Sequence, residues 1–269
     1  MSFPFGPALL FCPADRSDRY AKALERADAV ILDLEDAVSP LDRELAREEL
    51  IRNPLDPDRV IVRVNPVGSH DFASDLSALE ATAYRRVMLP KAESADAPRA
   101  VSGYDVIALC ETAAGVLAAP ELAREPNVTA LMWGAEDLVA SLGGTASRHA
   151  DGSYRDLARY ARSAVLVAAG AAGVAAIDTV HLDISDVDGL RLEAEDAVAS
   201  GFAATACIHP AQVEVIRAAY RPSDDEVAAA RAILEVAGRE HGVFRHGDNM
   251  VDGPVLRHAE AVIRRATGH

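Results

Sequence analysis

Several features that stabilise or localise proteins are scarce in this chain. It has three cysteines in 269 residues, Cys12, Cys110 and Cys207. They are odd in number, far apart and each set in an apolar run, which argues against a disulfide framework or a zinc site and for buried reduced thiols. No apolar run approaches the ~20 residues of a membrane span. The opening MSFPFGPALLFCPADR has neither the basic start nor the long apolar stretch of a signal peptide. These absences predict a cytoplasmic protein. Positive charge is in the minority: 27 Lys and Arg face 42 Asp and Glu, for a formal net charge of −15. Such a field repels nucleic acid and anionic membranes, so neither is expected as a partner.

Signature motifs are missing as well. No GxGxxG follows the first apolar run, and no GxxxxGK followed by Ser or Thr occurs, which removes the usual glycine cradles for dinucleotides and nucleoside triphosphates. There is no GxSxG, no HExxH and no cysteine with an evident histidine partner, so nucleophilic hydrolysis is poorly supported. Gly143-Gly144 reads as a loop, and the GAAG at 170 to 173 reads as close helix packing.

What the chain does have is alternation. Eight apolar runs, at 8 to 15, 29 to 36, 59 to 66, 86 to 93, 105 to 112, 128 to 137, 175 to 184 and 204 to 210, are rich in Val, Ile, Leu and Ala. Most lack strict polar alternation, as expected of parallel strands covered on both faces. Between them lie amphipathic segments such as SDRYAKALERA and SYRDLARYARSAVLVAAGAAG. Eight βα units in a chain of this length predict an α/β fold, a closed (β/α)8 TIM barrel, which typically takes ~250 residues. The barrel is expected over residues 1–220. Helical segments at about 223 to 240 and 254 to 266 form a C-terminal helical extension, 221–269, within the same domain.

Nearly every proposed strand ends on an ionisable group: Asp15 and Arg16, Glu35 and Asp36, Arg63, Lys91, Glu111, Glu136 and Asp137, His181 and Asp183, and His209. In a barrel these ends share one rim, where such folds place catalytic groups. Several carboxylates on one rim repel one another unless a cation lies among them. Glu111 and Asp137, ending successive strands without a Cys or His run, present hard oxygens and point to Mg2+. His181 and Asp183 could pair on a metal, but with one imidazole between them a structural hydrogen bond is favoured; His209 allows either role. Arg63 can steady an enolate oxygen or pair with Glu35 or Asp36. Lys91 is expected to stay protonated among its acidic neighbours, which argues against a Schiff base.

LDLEDAV at 32 to 38, VRVN at 62 to 65, LPKAE at 89 to 93, ET at 111 to 112 and WGAEDL at 133 to 138 make a further pattern, with IDTVHLDISDVDGL at 177 to 190 and CIHPAQ at 207 to 212. With these the chain resembles the citrate lyase beta subunit family, in its stand-alone form, within the HpcH/HpaI aldolase and citrate lyase superfamily. The resemblance implies a Mg2+-dependent carbon–carbon lyase that cleaves or forms 3-hydroxyacyl-CoA thioesters such as malyl-, citramalyl- or citryl-CoA, usually as a homotrimer. It implies Mg2+ on Glu111 and Asp137, Arg63 beside the reacting carbonyl, Glu35 and Asp36 holding metal waters, and Arg16 and Lys22 meeting the phosphates of CoA. It also makes Asp252 the acid/base residue, delivered to a neighbouring subunit, although from the sequence alone Asp252 reads as a helix N-terminal residue. A CoA-independent aldolase acting on 2-keto acids, or a non-catalytic CoA-binding or assembly subunit, are the alternatives.

Overall fold

The computed structural model describes residues 3–238, 243–246 and 249–267 of the chain. Eight parallel strands close into a barrel: Ala8–Pro13, Ala29–Asp33, Val60–Arg63, Arg86–Leu89, Asp105–Cys110, Val128–Trp133, Ala175–Asp178 and Ala204–Cys207, named β1 to β8. Helices run between them, which makes the (β/α)8 barrel the sequence predicts. The last strand returns to the first, with Leu9 beside Ala206 and Leu10 beside Cys207.

Both faces of the strands are buried, for different reasons. Leu9, Ile31, Ile61, Met88, Leu109, Met132, Ile177 and Ala206 belong to one interior cluster, each at most 3% exposed. Their neighbours in the opposite phase, among them Leu10, Leu32, Val62, Ala108 and Leu131, are equally buried, as a parallel sheet jacketed by helices requires. Burying each of the Val, Leu, Ile and Met side chains among them contributes roughly 1.5–3 kcal/mol. The three cysteines are free and buried, and burial pushes the Cys110 thiol up to about 12.

The strands stop earlier than the apolar runs that announce them. The seventh ends at Asp178 rather than near residue 184, so His181 and Asp183 stand in the loop after it and share no strand face. The GAAG run is also corrected: Gly173, at φ 73°, ends the helix Asp156–Ala172 in a left-handed cap. Nothing lies within 4 Å of where a Cβ on Gly170 would be, so no close packing requires that glycine.

The chain divides into two compact units, the barrel through Ile216 and a second from Arg217 onward. In the second, helices Asp224–Ala237 and Gly253–Thr267 pack through Ala230, Ala259 and Val262. Ser223 and Glu226 form a reciprocal capping box at the start of the first of these helices. A short antiparallel ribbon, Phe244–His246 (β9) with Asn249–Val251 (β10), lies between the helices and was not foreshadowed by any apolar alternation. No helix among the described residues is long and apolar enough to cross a membrane.

Candidate active site at the barrel mouth

The period of two that fills the barrel also builds its mouth. One step beyond the interior cluster, the inward phase reaches Phe11, Asp33, Arg63, Glu111, Gly134, Thr179 and Ile208, and these line a cavity of about 230 Å3. Asp36 joins them from the loop after β2, and Glu136 and Asp137 from the first turn of the helix Ala135–Ser141.

Asp33 and Arg63 are register partners on β2 and β3. Arg63 Nε and Nη2 donate to the two Asp33 oxygens at 2.7 and 2.6 Å, and Nη1 lies 3.1 Å from Glu35. Burial works against the guanidinium charge, but the Asp33 bonds outweigh it and hold Arg63 above its ordinary range. The Arg63 guanidinium also sits 4.9 Å from the centre of the Phe11 ring. Of the partners expected for Arg63, Glu35 or Asp36, Glu35 is one, but the bidentate partner is Asp33, which is not among the strand-end residues singled out above.

Asp33 shapes the loop as well. Its carboxylate accepts from the Glu35 and Ala37 amides at 2.9 and 3.0 Å, turning the chain back over the mouth. Asn65 braces that turn by donating to the Leu34 carbonyl at 2.9 Å, while buried Asp75 holds Asn65 and is paired in turn with Arg47 at 3.0 Å. The LDLEDAV and VRVN segments are thus two halves of one support.

Glu111 follows β5 directly and is 3% exposed. Thr112 fixes its position by capping the helix Ala113–Leu122, its hydroxyl accepting from the Gly115 amide at 3.0 Å. Gly134 opposes it: a Cβ there would lie 2.8 Å from Glu111 Cβ and 3.0 Å from Oε2. Burial and the neighbouring Asp137 push the Glu111 carboxyl up to about 8. Lys91 stands among the acids, hydrogen-bonded to Glu35 and 3.6 Å from Asp36, 3.6 Å from Asp137 and 3.9 Å from Glu111. Although half-burial opposes its charge, Glu35, Glu111 and Asp36 hold it protonated above the ordinary lysine range, in line with the expectation that it is no Schiff-base amine.

Of the remaining barrel candidates, Arg16, Lys22, His181, Asp183 and His209 do not line this cavity. Arg16 pairs with Asp18 at 3.0 Å and is half-exposed, Lys22 is exposed, and neither lines the cavity. His181 Nδ1 is 2.9 Å from Glu193, the structural hydrogen bond that the sequence favours, although its partner is not Asp183. Asp183 instead accepts from the Ser185 amide and hydroxyl. His209 is exposed and accepts from the Ala211 amide at 3.2 Å. Asp252, in the second unit, accepts from the Val255 amide at 3.3 Å at the start of the last helix. One support is absent from the sequence reading: Trp133, just before Gly134, donates to buried Asp178 at 2.6 Å, and Arg162 holds that carboxylate at 2.8 Å.

The family model for HpcH/HpaI aldolase/citrate lyase matches residues 8–210. The chain belongs to that family. It is 55% identical to a citrate lyase subunit beta-like protein of Mycobacterium tuberculosis strain H37Rv, covering 97% of this chain and 96% of the relative. It is 32% identical to a (3S)-malyl-CoA thioesterase of Cereibacter sphaeroides, covering 97% and 92%. A crystal structure of CitE from M. tuberculosis in complex with magnesium, acetoacetate and coenzyme A superposes with a TM-score of 0.93 at 54% identity, covering 98% of each chain.

Glu111 and Asp137 have the chemistry to hold a hard divalent cation. Both donors are oxygens, their mutual repulsion is what a cation would relieve, and Gly134 leaves open the space beside Glu111 that a Cβ would fill. Among the described residues no three acidic, histidine or cysteine side chains form a closed metal cage. A pair of carboxylates leaves other positions to water or substrate oxygens, as Mg2+ usually keeps them.

Proposed function

We propose that the protein is a Mg2+-dependent carbon–carbon lyase that cleaves or forms a 3-hydroxyacyl-CoA thioester, with acetyl-CoA or propionyl-CoA and a keto acid on the other side of the reaction. The observation that carries this reading is the convergence of Glu111, Asp137 and the immobilised Arg63 on one cavity. The relatives support the chemistry, since CitE from M. tuberculosis was crystallised with magnesium, acetoacetate and coenzyme A.

Glu111 and Asp137 would hold the ion, which supplies Lewis acidity toward a hydroxyl and a keto oxygen. Arg63, unable to turn away from Asp33, offers its guanidinium to the thioester oxygen and stabilises the enolate that forms when a base takes the hydroxyl proton and the carbon–carbon bond breaks. Glu35 and Asp36 order water at the same edge. Asp252 of a neighbouring copy in a homotrimer protonates the enolate carbon, or removes that proton in the reverse direction. Arg16 and Lys22 meet the CoA phosphates outside the cavity, where both are exposed and Arg16 exchanges its pairing with Asp18 for a phosphate. The enzyme works in the cytoplasm.

A panel of hydroxyacyl-CoA substrates assayed with Mg2+ for keto acid release tests the reading. Glu111→Ala or Asp137→Ala is expected to abolish turnover, and near wild-type rates with added Mg2+ would refute it. Charge reversal at both Arg16 and Lys22 cripples a CoA enzyme but leaves a CoA-independent aldolase untouched. Thioester hydrolysis is a second reading, favoured by the relatives named (3S)-malyl-CoA thioesterase. It would release free CoA and an intact hydroxy acid instead of a keto acid.

A further inference from the structure

One ammonium serves four carboxylates at the barrel mouth. Lys91 Nζ bonds to Glu35 and lies within 4 Å of Asp36, Glu111 and Asp137. Its backbone is constrained too: the Lys91 amide donates to Glu111 Oε1 at 3.1 Å. At φ 49°, it is the one residue other than glycine in the left-handed region among the described residues. A side chain with a Cβ resists that conformation, so it persists where its surroundings impose it. Lys91 therefore stands where a cation is needed, touching both carboxylates that would hold a metal and both that would not.

We propose that Lys91 is the resident counter-ion of the metal-free carboxylate cluster. Its ammonium neutralises Glu111 and Asp137 until a divalent ion arrives, then withdraws onto Glu35 and Asp36, and the competition lowers the affinity for Mg2+. This rests on the Mg2+ reading above. An ion about 2.1 Å from those oxygens cannot be more than about 6 Å from the ammonium in its present place. At that separation, repulsion between a single and a double charge weakens binding about tenfold even in a medium as polar as water. Glu35 and Asp36 provide the alternative seat without a change of backbone, since Lys91 already bonds to the first.

The test is Mg2+ titration of chelator-treated protein at about pH 8.5, by calorimetry and by melting temperature, for wild type, Lys91→Met and Lys91→Arg. Lys91→Met is expected to bind Mg2+ about tenfold more tightly, to melt lower than wild type in EDTA, and to recover that difference in Mg2+. Lys91→Arg, which keeps the charge, is expected to bind as wild type does. A merely structural lysine would destabilise both forms when replaced and would not tighten metal binding. Binding by Lys91→Met within about twofold of wild type, or weaker, overturns the inference. So does a methionine variant that stays unfolded in saturating Mg2+, because the ion is then no substitute for the ammonium. Failure of wild type and both variants alike to bind Mg2+ would instead bring down the metal reading, and this inference with it.

Discussion

Replacing Asp33 by asparagine isolates the pair that immobilises Arg63. Asp33 is 0% exposed and accepts four hydrogen bonds, two from Arg63 and two from the amides of Glu35 and Ala37. Asparagine keeps the volume and one acceptor oxygen, but it turns an N–H2 group toward donors and removes the negative charge. Breaking a buried ion pair by deleting one partner costs about 3–5 kcal/mol. Glu35, 3.1 Å from Arg63, continues to offset the guanidinium charge. The expected loss is therefore at the lower end, about 3 kcal/mol by urea denaturation. Turnover is expected to fall by about 10²-fold, as when a fixed donor to a developing oxyanion is lost. A double-mutant cycle with Arg63→Met separates the pair from the loop: Asp33→Asn should cost little once the guanidinium is gone. A coupling below about 1 kcal/mol, or a folded Asp33→Asn enzyme with wild-type turnover, would refute the assignment.

Two further outcomes follow from the same geometry. Gly134→Ala places a Cβ 2.8 Å from Glu111 Cβ, while the extended backbone at φ −128° accepts any residue. Mg2+ affinity by calorimetry should fall about 10- to 100-fold in a protein that still folds, and an unchanged Kd would count against the role of Glu111. The hydrogen bond to Glu193 raises the pKa of His181 above 6.5. A raised folded-state value gives stability that is complete below the unfolded value and is lost as pH climbs through the folded one. Stability should therefore decline from about pH 6.5 upward, and His181→Gln should flatten that decline; equal slopes in the two proteins would exclude His181 as its source.

All eight strands were legible because a parallel barrel leaves each as an apolar run between amphipathic helices. Their ends were not. In the loops after β2, β5 and β7, side-chain and backbone bonds replace the ladder while composition scarcely changes, so Glu35, Glu111 and His181 read as strand termini. Asp33 does not stand among the last charged residues of its run; the inward phase of the strand is what marks it. Extending the alternation Ala29, Ile31 by one step reaches Asp33, and extending Ile107, Leu109 reaches Glu111. The pattern of strand ends places Lys91 on the rim, but no periodicity marks its left-handed backbone. Arg16, Lys22 and Asp252 came from the family resemblance, and neither basic residue stands in the cavity.

The seam between β1 and β8 has a consequence for biosynthesis. Its partners, Leu9 with Ala206 and Leu10 with Cys207, are roughly two hundred residues apart. At about 5–20 residues per second, the first stave must wait on the order of 10 to 40 s after leaving the ribosome before its mate exists. Until then a nascent polypeptide carries two raw edges that could stitch to a sister molecule. The surplus of acidic side chains, 42 Asp and Glu against 27 Lys and Arg, opposes such stitching by mutual repulsion.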